Sequence, residues 1–144
     1  MTVRDILQAK GSSVVTIGAE AAVTEAVALL VRHNIGAVVV MQDDDMRGIL
    51  SERDILRAIN EGADAFTRLH VADIMTANVI TGRADADLPA VMQVMSERRI
   101  RHLPVVEDDR LAGMVSIGDV ITAMRRVTEA ENRHLHAYIS GTSY

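Results

Sequence analysis

A serine and an aspartate stand three residues apart at two places in this chain, as Ser51 with Asp54 and as Ser116 with Asp119. Each pair has two interpretations. In a helix cap, the hydroxyl and the carboxylate bind exposed backbone amides at the helix start and complement its dipole. In a nucleotide site, the carboxylate accepts hydrogen bonds from both hydroxyls of a ribose, while the serine and the helix start face a phosphate. The pair alone leaves both interpretations open.

The two pairs belong to an internal repeat. Residues 48–54 return as residues 113–119 after 65 positions, and residues 35–59 match residues 100–124 at eight of 25 positions. Two copies of so long a period indicate a duplicated small domain, because a solenoid needs at least three repeats to bury its faces. The leading segment 3–7 returns as 71–75 after 68 positions, so the first copy carries three extra residues within 8–13.

The apolar periodicity predicts the order strand, helix, strand, strand, helix in each copy. β-rich runs at 14–17 and 78–81 predict the first strands, and apolar residues at helical spacing follow both. Apolar runs around acidic turns at 42–45 and 107–110 then predict β-hairpins, each leading into a second helix. The predicted fold class is therefore α/β, of the α+β kind, with two β-α-β-β-α repeats.

These patterns divide the chain into repeat one at 1–62, a linker at 63–70, repeat two at 71–128 and a C-terminal helical tail at 129–144. The tail is predicted to end near Gly141 and to pack through one apolar patch of Leu135, Tyr138 and Ile139. Helix faces that a two-repeat unit leaves exposed also predict a homodimer.

Composition argues against several classes of function. The net charge of −5 argues against a general nucleic-acid or anionic-membrane surface, and no apolar run approaches the ~18 residues of a membrane span. The chain has no cysteine, and its five histidines lack metal-ligand spacing, so no metal site is predicted. The sequence contains no motif of covalent catalysis or of a common phosphate-binding loop. We predict a cytoplasmic protein without catalytic residues.

The order of elements, the repeated Gly-x-x-Ser-x-x-Asp motif, the segment Asp73-Ile74-Met75-Thr76 and the arginine-rich segment 98–106 together resemble a tandem pair of CBS domains. Such a pair is called a Bateman module, and this one resembles the stand-alone bacterial type. The resemblance covers residues 3–127. In that family the cleft between the repeats binds adenosine ligands, and the motif aspartate holds the ribose.

The resemblance implies site residues in both repeats. Asp54 and Asp119 would each hold a ribose, with Ser51 and Ser116 beside them. Three further residues, Arg53, Arg101 and His102, match positions that place cations against phosphate. The other residues at ligand-lining positions are Thr16, Ile17, Ala37, Val38, Met75, Thr81, Leu103 and Pro104. Ordinary strand or core roles stay open for Thr16, Ile17, Met75 and Thr81.

The two repeats differ at the implied cationic positions. Gly36 and Ala37 stand in repeat one where Arg101 and His102 stand in repeat two, and Gly118 replaces Arg53. We therefore expect the two sites to bind a ligand unequally. Arg98 and Arg99 are interpreted as a solvated helix end.

The function that the resemblance implies is a regulatory module that binds an adenine nucleotide and transmits its occupancy to a protein target in trans, with no obligatory cofactor. The ligand stays open among AMP, ADP, ATP, NAD(H) and S-adenosylmethionine. Two other hypotheses also stay open. One is a structural adaptor in which the Ser-Asp pairs only cap helices, and the other is a nucleotide-processing enzyme built in the same cleft.

Overall fold

A computed structural model of the chain describes residues 1–139. Six helices and five strands occur within that range. In chain order they are α1 (Val3–Lys10), β1 (Thr16–Gly18), α2 (Val23–His33), β2 (Ala37–Gln42), β3 (Asp45–Ser51), α3 (Glu52–Phe66), α4 (Val71–Ile74), α5 (Leu88–Arg98), β4 (His102–Glu107), β5 (Arg110–Ser116) and α6 (Ile117–Ile139). This mixture of helices with two small sheets confirms the predicted fold class.

The first repeat follows the predicted order, β1-α2-β2-β3-α3. Strand β1 pairs in parallel with β2, and β2 pairs antiparallel with β3, which places Ala37 opposite Ser51. The predicted acidic turn joins β2 to β3, and Asp43 adopts a left-handed φ of 55° there, a conformation that aspartate tolerates better than most residues. Asn34 caps the end of α2 with a left-handed φ of 51°.

The second repeat departs from the prediction at its first strand. The predicted strand at 78–81 is reduced to one parallel bridge between Gly82 and Val105, so that β4 and β5 form a two-stranded sheet. The Gly82 amide donates to the Pro104 carbonyl over 2.9 Å. A Cβ on Gly82 would lie 2.5 Å from Cδ2 of Leu103, so the chain reaches β4 at the residue without a side chain. The side chains of Asn78 and Thr81 are exposed.

Each leading helix packs against the opposite repeat. Val3 on α1 donates its amide to the Ala86 carbonyl over 3.0 Å and lies in the apolar core of the second repeat with Leu88. Val71 on α4 donates to the Ala21 carbonyl over 2.8 Å and lies in the core of the first repeat with residues of α2. Each folded unit therefore contains the leading helix of the other sequence repeat.

The connection between the repeats and the tail are both more helical than loop-like. Helix α3 runs to Phe66 with a non-helical residue at Gly62, so residues 63–66 of the predicted linker are helical. Helix α6 confirms a helical extension as far as Ile139. In the single chain the patch of Leu135, Tyr138 and Ile139 is exposed, and the buried side chain of this stretch is Ala137. Residues 140–144, including the predicted end near Gly141, lie outside the described part.

Candidate functional site

The Ser51 and Asp54 pair caps the start of α3, which is the first of its two interpretations. The Ser51 amide donates to Asp54 Oδ2 over 2.9 Å, and the Asp54 amide donates to Ser51 Oγ over 3.4 Å. The same back-bond joins the Ser116 amide to Asp119 Oδ2 over 2.8 Å and the His70 amide to Asp73 Oδ2 over 2.7 Å. Because Asp73 is not preceded by the motif serine, the back-bond is a general feature of helix starts in this chain and does not by itself mark a binding site.

Asp54 is set apart from the other capping aspartates by its surroundings. It is the one charged residue among the buried side chains of residues 1–139, with 8% of its surface exposed. Its Oδ2 atom is occupied by Ser51, whereas Oδ1 receives a long hydrogen bond of 3.4 Å from the Thr76 hydroxyl. The Arg57 guanidinium lies 3.9 Å from the same Oδ1 atom. A buried carboxylate oxygen with weak partners can accept stronger bonds from a ligand.

Asp54 lies in a cavity of about 470 Å³ that both repeats line. The first repeat contributes Gly36, Ile49, Ser51, Glu52, Arg53, Asp54, Leu56 and Arg57, and residues after α4 or in the second repeat contribute Thr76, Arg99, Ile100, Arg101 and His102. A Cβ on Gly36 would lie 3.0 Å from Nε2 of His102. The glycine that replaces an arginine in the repeat pattern therefore leaves room for a side chain of the other repeat.

The charge of this cavity favours an anion. Four guanidinium groups line it, from Arg53, Arg57, Arg99 and Arg101, against two carboxylates. Guanidinium groups bind phosphate through paired hydrogen bonds, and each remains protonated at neutral pH. This surplus of positive charge occurs in a chain whose net charge is −5.

Two of the cavity residues have unusual states. Arg99 ends α5 with a left-handed φ of 54°, which costs a non-glycine residue about 1 kcal/mol, at the position that Asn34 occupies in the first repeat. Burial lowers the pKa of His102, against the nearby charge of Glu52, which raises it, and with the charge of Arg101, which lowers it further. This lowered pKa favours the neutral, hydrogen-bonding imidazole of His102 at neutral pH, whereas the family resemblance implied a cation at this position.

The second motif has a different environment. Lys10 Nζ donates to Asp119 Oδ2 over 2.7 Å and to the Met114 carbonyl over 3.1 Å. Burial alone would raise the pKa of the Asp119 carboxyl, but the hydrogen bonds from Lys10 and Ser116 and the Lys10 charge hold that pKa below its ordinary value. The cavity beside Asp119 measures about 230 Å³ and lies between α1 and α6, with Lys10 and Arg126 in its wall.

The structure brings five of the predicted site residues into the larger cavity, namely Ser51, Arg53, Asp54, Arg101 and His102. Asp119 lines the smaller cavity, and Ser116 bonds to it. Ile17, Ala37, Val38, Leu103 and Pro104 are buried in or beside the sheets, Met75 is half-buried, and Thr16 and Thr81 are exposed. None of these eight lines either cavity.

Four residues that were not predicted as site residues contribute to these sites, namely Thr76, Lys10, Arg99 and Arg57. Thr76 is the last residue of the segment Asp73-Ile74-Met75-Thr76 that carries the family resemblance, and Lys10 lies in the range 8–13 that contains the three extra residues of the first copy. Arg99 was interpreted as a solvated helix end, yet it lines the larger cavity. Arg57 carried no signal except its spacing of three residues from Asp54.

Residues 1–139 contain neither a cluster of metal ligands nor a membrane-spanning helix. Within that range no three histidine, aspartate or glutamate side chains converge closely enough to hold a metal ion. No helix in the same range has the length and apolar character needed to cross a bilayer.

Comparison with known proteins gives the family. The family model of the CBS domain matches residues 3–61 and 71–126. The mitochondrial CBS domain-containing protein CBSX3 of Arabidopsis thaliana is 36% identical over 149 residues, which cover 97% of this chain and 72% of that protein. The crystal structure of the CBS-domain containing protein ATU1752 from Agrobacterium tumefaciens is 40% identical, covers 86% of this chain and 99% of its own, and superposes with a TM-score of 0.84.

A third solved structure carries ligands. It is the CBS domain pair of protein MJ0100 in complex with 5′-methylthioadenosine and S-adenosyl-L-methionine. Its sequence is 28% identical, its TM-score is 0.76, and the match covers 86% of this chain and 99% of that one. The CBS domain model matches twice in tandem, and the last helix of each match begins at a Ser-x-x-Asp motif. The chain therefore belongs to the CBS domain family and is a CBS pair.

Proposed function

We propose that this CBS pair is a non-catalytic regulatory module that binds a phosphate-bearing adenosine ligand in the larger cavity. The observation that carries the proposal is the meeting, in one cavity of about 470 Å³, of the buried Asp54 carboxylate with guanidinium groups from both repeats. A carboxylate suits ribose hydroxyls and guanidinium groups suit phosphate, so the two halves of a nucleotide each have a partner there.

The proposed orientation follows from where these groups lie. The ribose lies on Asp54 Oδ1, beside the Thr76 hydroxyl, and the phosphate meets Arg53 and Arg101. The ligands of MJ0100 support the adenosine part, since both contain adenosine. Neither of them contains a phosphate, and the arginine surplus of this cavity favours AMP, ADP, ATP or NAD(H) over them.

Coupling to a target would arise because the ligand touches both repeats at once. Arg53 precedes Asp54 on α3 of the first repeat, whereas Arg101 precedes β4 of the second. A ligand that bridges them favours one arrangement of the repeats, and its effect on a partner equals its difference in affinity between arrangements. A protein target in trans and a cytoplasmic location are part of this proposal.

Calorimetric titration of the full chain with AMP, ATP, NAD⁺ and S-adenosylmethionine tests the proposal. Asp54→Asn should weaken the bound nucleotide about 10- to 150-fold, because it removes a charge-assisted hydrogen bond of about 1.5–3 kcal/mol. Asp73→Asn is the matched control, since Asp73 makes the same back-bond outside the cavity. Equal affinity in both variants would reduce the Ser51 and Asp54 pair to a helix cap. Steady turnover of ATP or NADH by the parent would favour an enzyme.

We also propose that the module forms a homodimer through its helices. Leu56 on α3 and Ile121 on α6, which are equivalent under the 65-residue repeat, are 67% and 48% exposed. Val31 on α2 and Val94 on α5 extend the exposed apolar surface in each repeat. Light scattering at micromolar concentration should give twice the chain mass, and Leu56→Glu should halve it. A monomeric parent would contradict the dimer without affecting the ligand proposal.

A further inference from the structure

The two leading helices dock alike but differ in length. Leu7 on α1 and Met75 after α4 correspond under the 68-residue shift, and each lies against a glycine of a hairpin. A Cβ on Gly113 would lie 2.6 Å from Leu7 Cδ2, and a Cβ on Gly48 would lie 2.9 Å from the Met75 sulfur. Helix α1 has eight residues and α4 has four, so the extra residues of the first copy add about one turn beyond the shared contact.

The extra turn ends with Lys10, whose ammonium group reaches the second motif. Nζ donates to Asp119 Oδ2 over 2.7 Å and to the Met114 carbonyl over 3.1 Å, which uses two of its three hydrogens. In the first site, Asp54 Oδ1 faces the Thr76 hydroxyl at 3.4 Å and the Arg57 guanidinium at 3.9 Å. Both contacts are longer than the 2.7 Å hydrogen bond by which Lys10 holds Asp119, so the ammonium group engages its motif aspartate more closely.

A ribose would have to compete with this ammonium group. Its hydroxyls bind a carboxylate by donating hydrogens, and Asp119 Oδ2 already accepts from Lys10 and from the Ser116 amide. The space beside Asp119 is about half that beside Asp54, and its walls come from α1, α6 and Met1, with no residue of β2 or β4.

We infer that Lys10 closes the second Ser-x-x-Asp site against nucleosides, so that each chain takes up one ligand, at Asp54. The inference rests on the proposed function for the identity of the ligand. Lys10 would then add to the inequality between the sites that the sequence pattern attributed to Gly36, Ala37 and Gly118, which stand where the other repeat has Arg101, His102 and Arg53.

A substitution that removes the charge and keeps the aliphatic stem isolates this effect. The Lys10 and Asp119 side chains are 40% and 27% exposed, so their pair contributes little to folding and Lys10→Met should remain folded. A partly exposed ion pair of this kind lowers the affinity of a competing ligand by up to about fivefold, so we expect the second site of Lys10→Met to gain up to about fivefold in affinity.

The experiment is a calorimetric titration of AMP into the full-length parent, Lys10→Met and Lys10→Arg. The parent and Lys10→Arg should bind one AMP per chain, because arginine keeps the cation, and Lys10→Met should bind two. The second event should disappear in the double variant Lys10→Met with Asp119→Asn. A Lys10→Met protein that binds AMP like the parent, whatever number the parent binds, overturns the inference. A parent that binds none of AMP, ATP and NAD⁺ contradicts the proposed function instead, since the Lys10 result depends only on the difference between the two proteins.

Discussion

The two Ser-x-x-Asp sites share a backbone geometry and differ in everything that approaches them. At both, the serine amide bonds the aspartate Oδ2 atom within 0.1 Å of the same distance, 2.9 Å at Asp54 and 2.8 Å at Asp119. Asp54 then meets a hydroxyl and a cavity with arginines of the other repeat, whereas Asp119 meets Lys10. The motif therefore fixes a helix start, and the segment that crosses over from the other repeat determines what that start can bind.

The largest expected effect concerns how these crossing segments dock. A Cβ on Gly48 would stand 2.7 Å from the backbone oxygen of Thr76, which cannot move without the chain, whereas a Cβ on Gly113 would meet the mobile end of Leu7. Gly48→Ala should therefore cost about 2–3 kcal/mol of unfolding free energy and Gly113→Ala about 1 kcal/mol. Urea denaturation of both variants measures the difference. Equal losses would mean that the two crossing segments are held equally loosely.

The next prediction concerns Arg101, which lines the cavity beside Asp54 and not the one beside Asp119. Arg101→Ala should weaken AMP about tenfold and leave adenosine nearly unchanged, because only AMP offers a phosphate to a charge-assisted bond worth about 1.5 kcal/mol or more. Arg110→Ala is the control, since Arg110 lies on β5 and does not line the cavity. Parallel calorimetric titrations with the two ligands give the ratio. A similar loss for both ligands would place Arg101 away from the phosphate.

The order of elements was predictable because it depends on local patterns. Apolar periodicity predicted both hairpins and the helices α2, α3, α5 and α6, and the Ser-x-x-Asp pairs marked the starts of α3 and α6. The prediction of a first strand in the second repeat was wrong. Residues 78–81 carry strand-forming side chains, but the backbone of this segment pairs with β4 only at Gly82. A contact that depends on a missing side chain leaves no trace in a pattern of apolar residues.

The site was predictable only in part, because its residues come from segments far apart in the chain. The family resemblance named Asp54, Arg53, Arg101 and His102 as site residues, and these four side chains line one cavity. The resemblance did not indicate that α1 packs on the second repeat and α4 on the first. This arrangement brings Lys10 to Asp119 and Thr76 to Asp54. The protonation of His102 was also beyond reach, because its lowered pKa arises from burial. Such properties depend on tertiary neighbours.

The smallest expected effect is the contribution of the Lys10 and Asp119 pair to stability. The folded-state pKa of Asp119 lies below its ordinary value of 3.8, so its ionised form is favoured by folding. The resulting stability is present above that ordinary value and is lost as the pH falls through the lower, folded-state pKa. A partly exposed pair of this kind contributes about 0.2–1 kcal/mol.

Lys10→Met should therefore be less stable than the parent by that amount at pH 7, and the difference should shrink as the pH is lowered below about 4, where carboxylates of ordinary pKa become protonated. Urea denaturation at several pH values measures it, and added salt should reduce it at pH 7 because the pair is partly exposed. In an Asp119→Asn background, Lys10→Met should have no pH-dependent effect, since no carboxylate remains to titrate. A difference that stays constant from pH 7 down to pH 3 would assign the loss to packing of the Lys10 stem. The contrast between the two motif sites would then rest on the arginines alone.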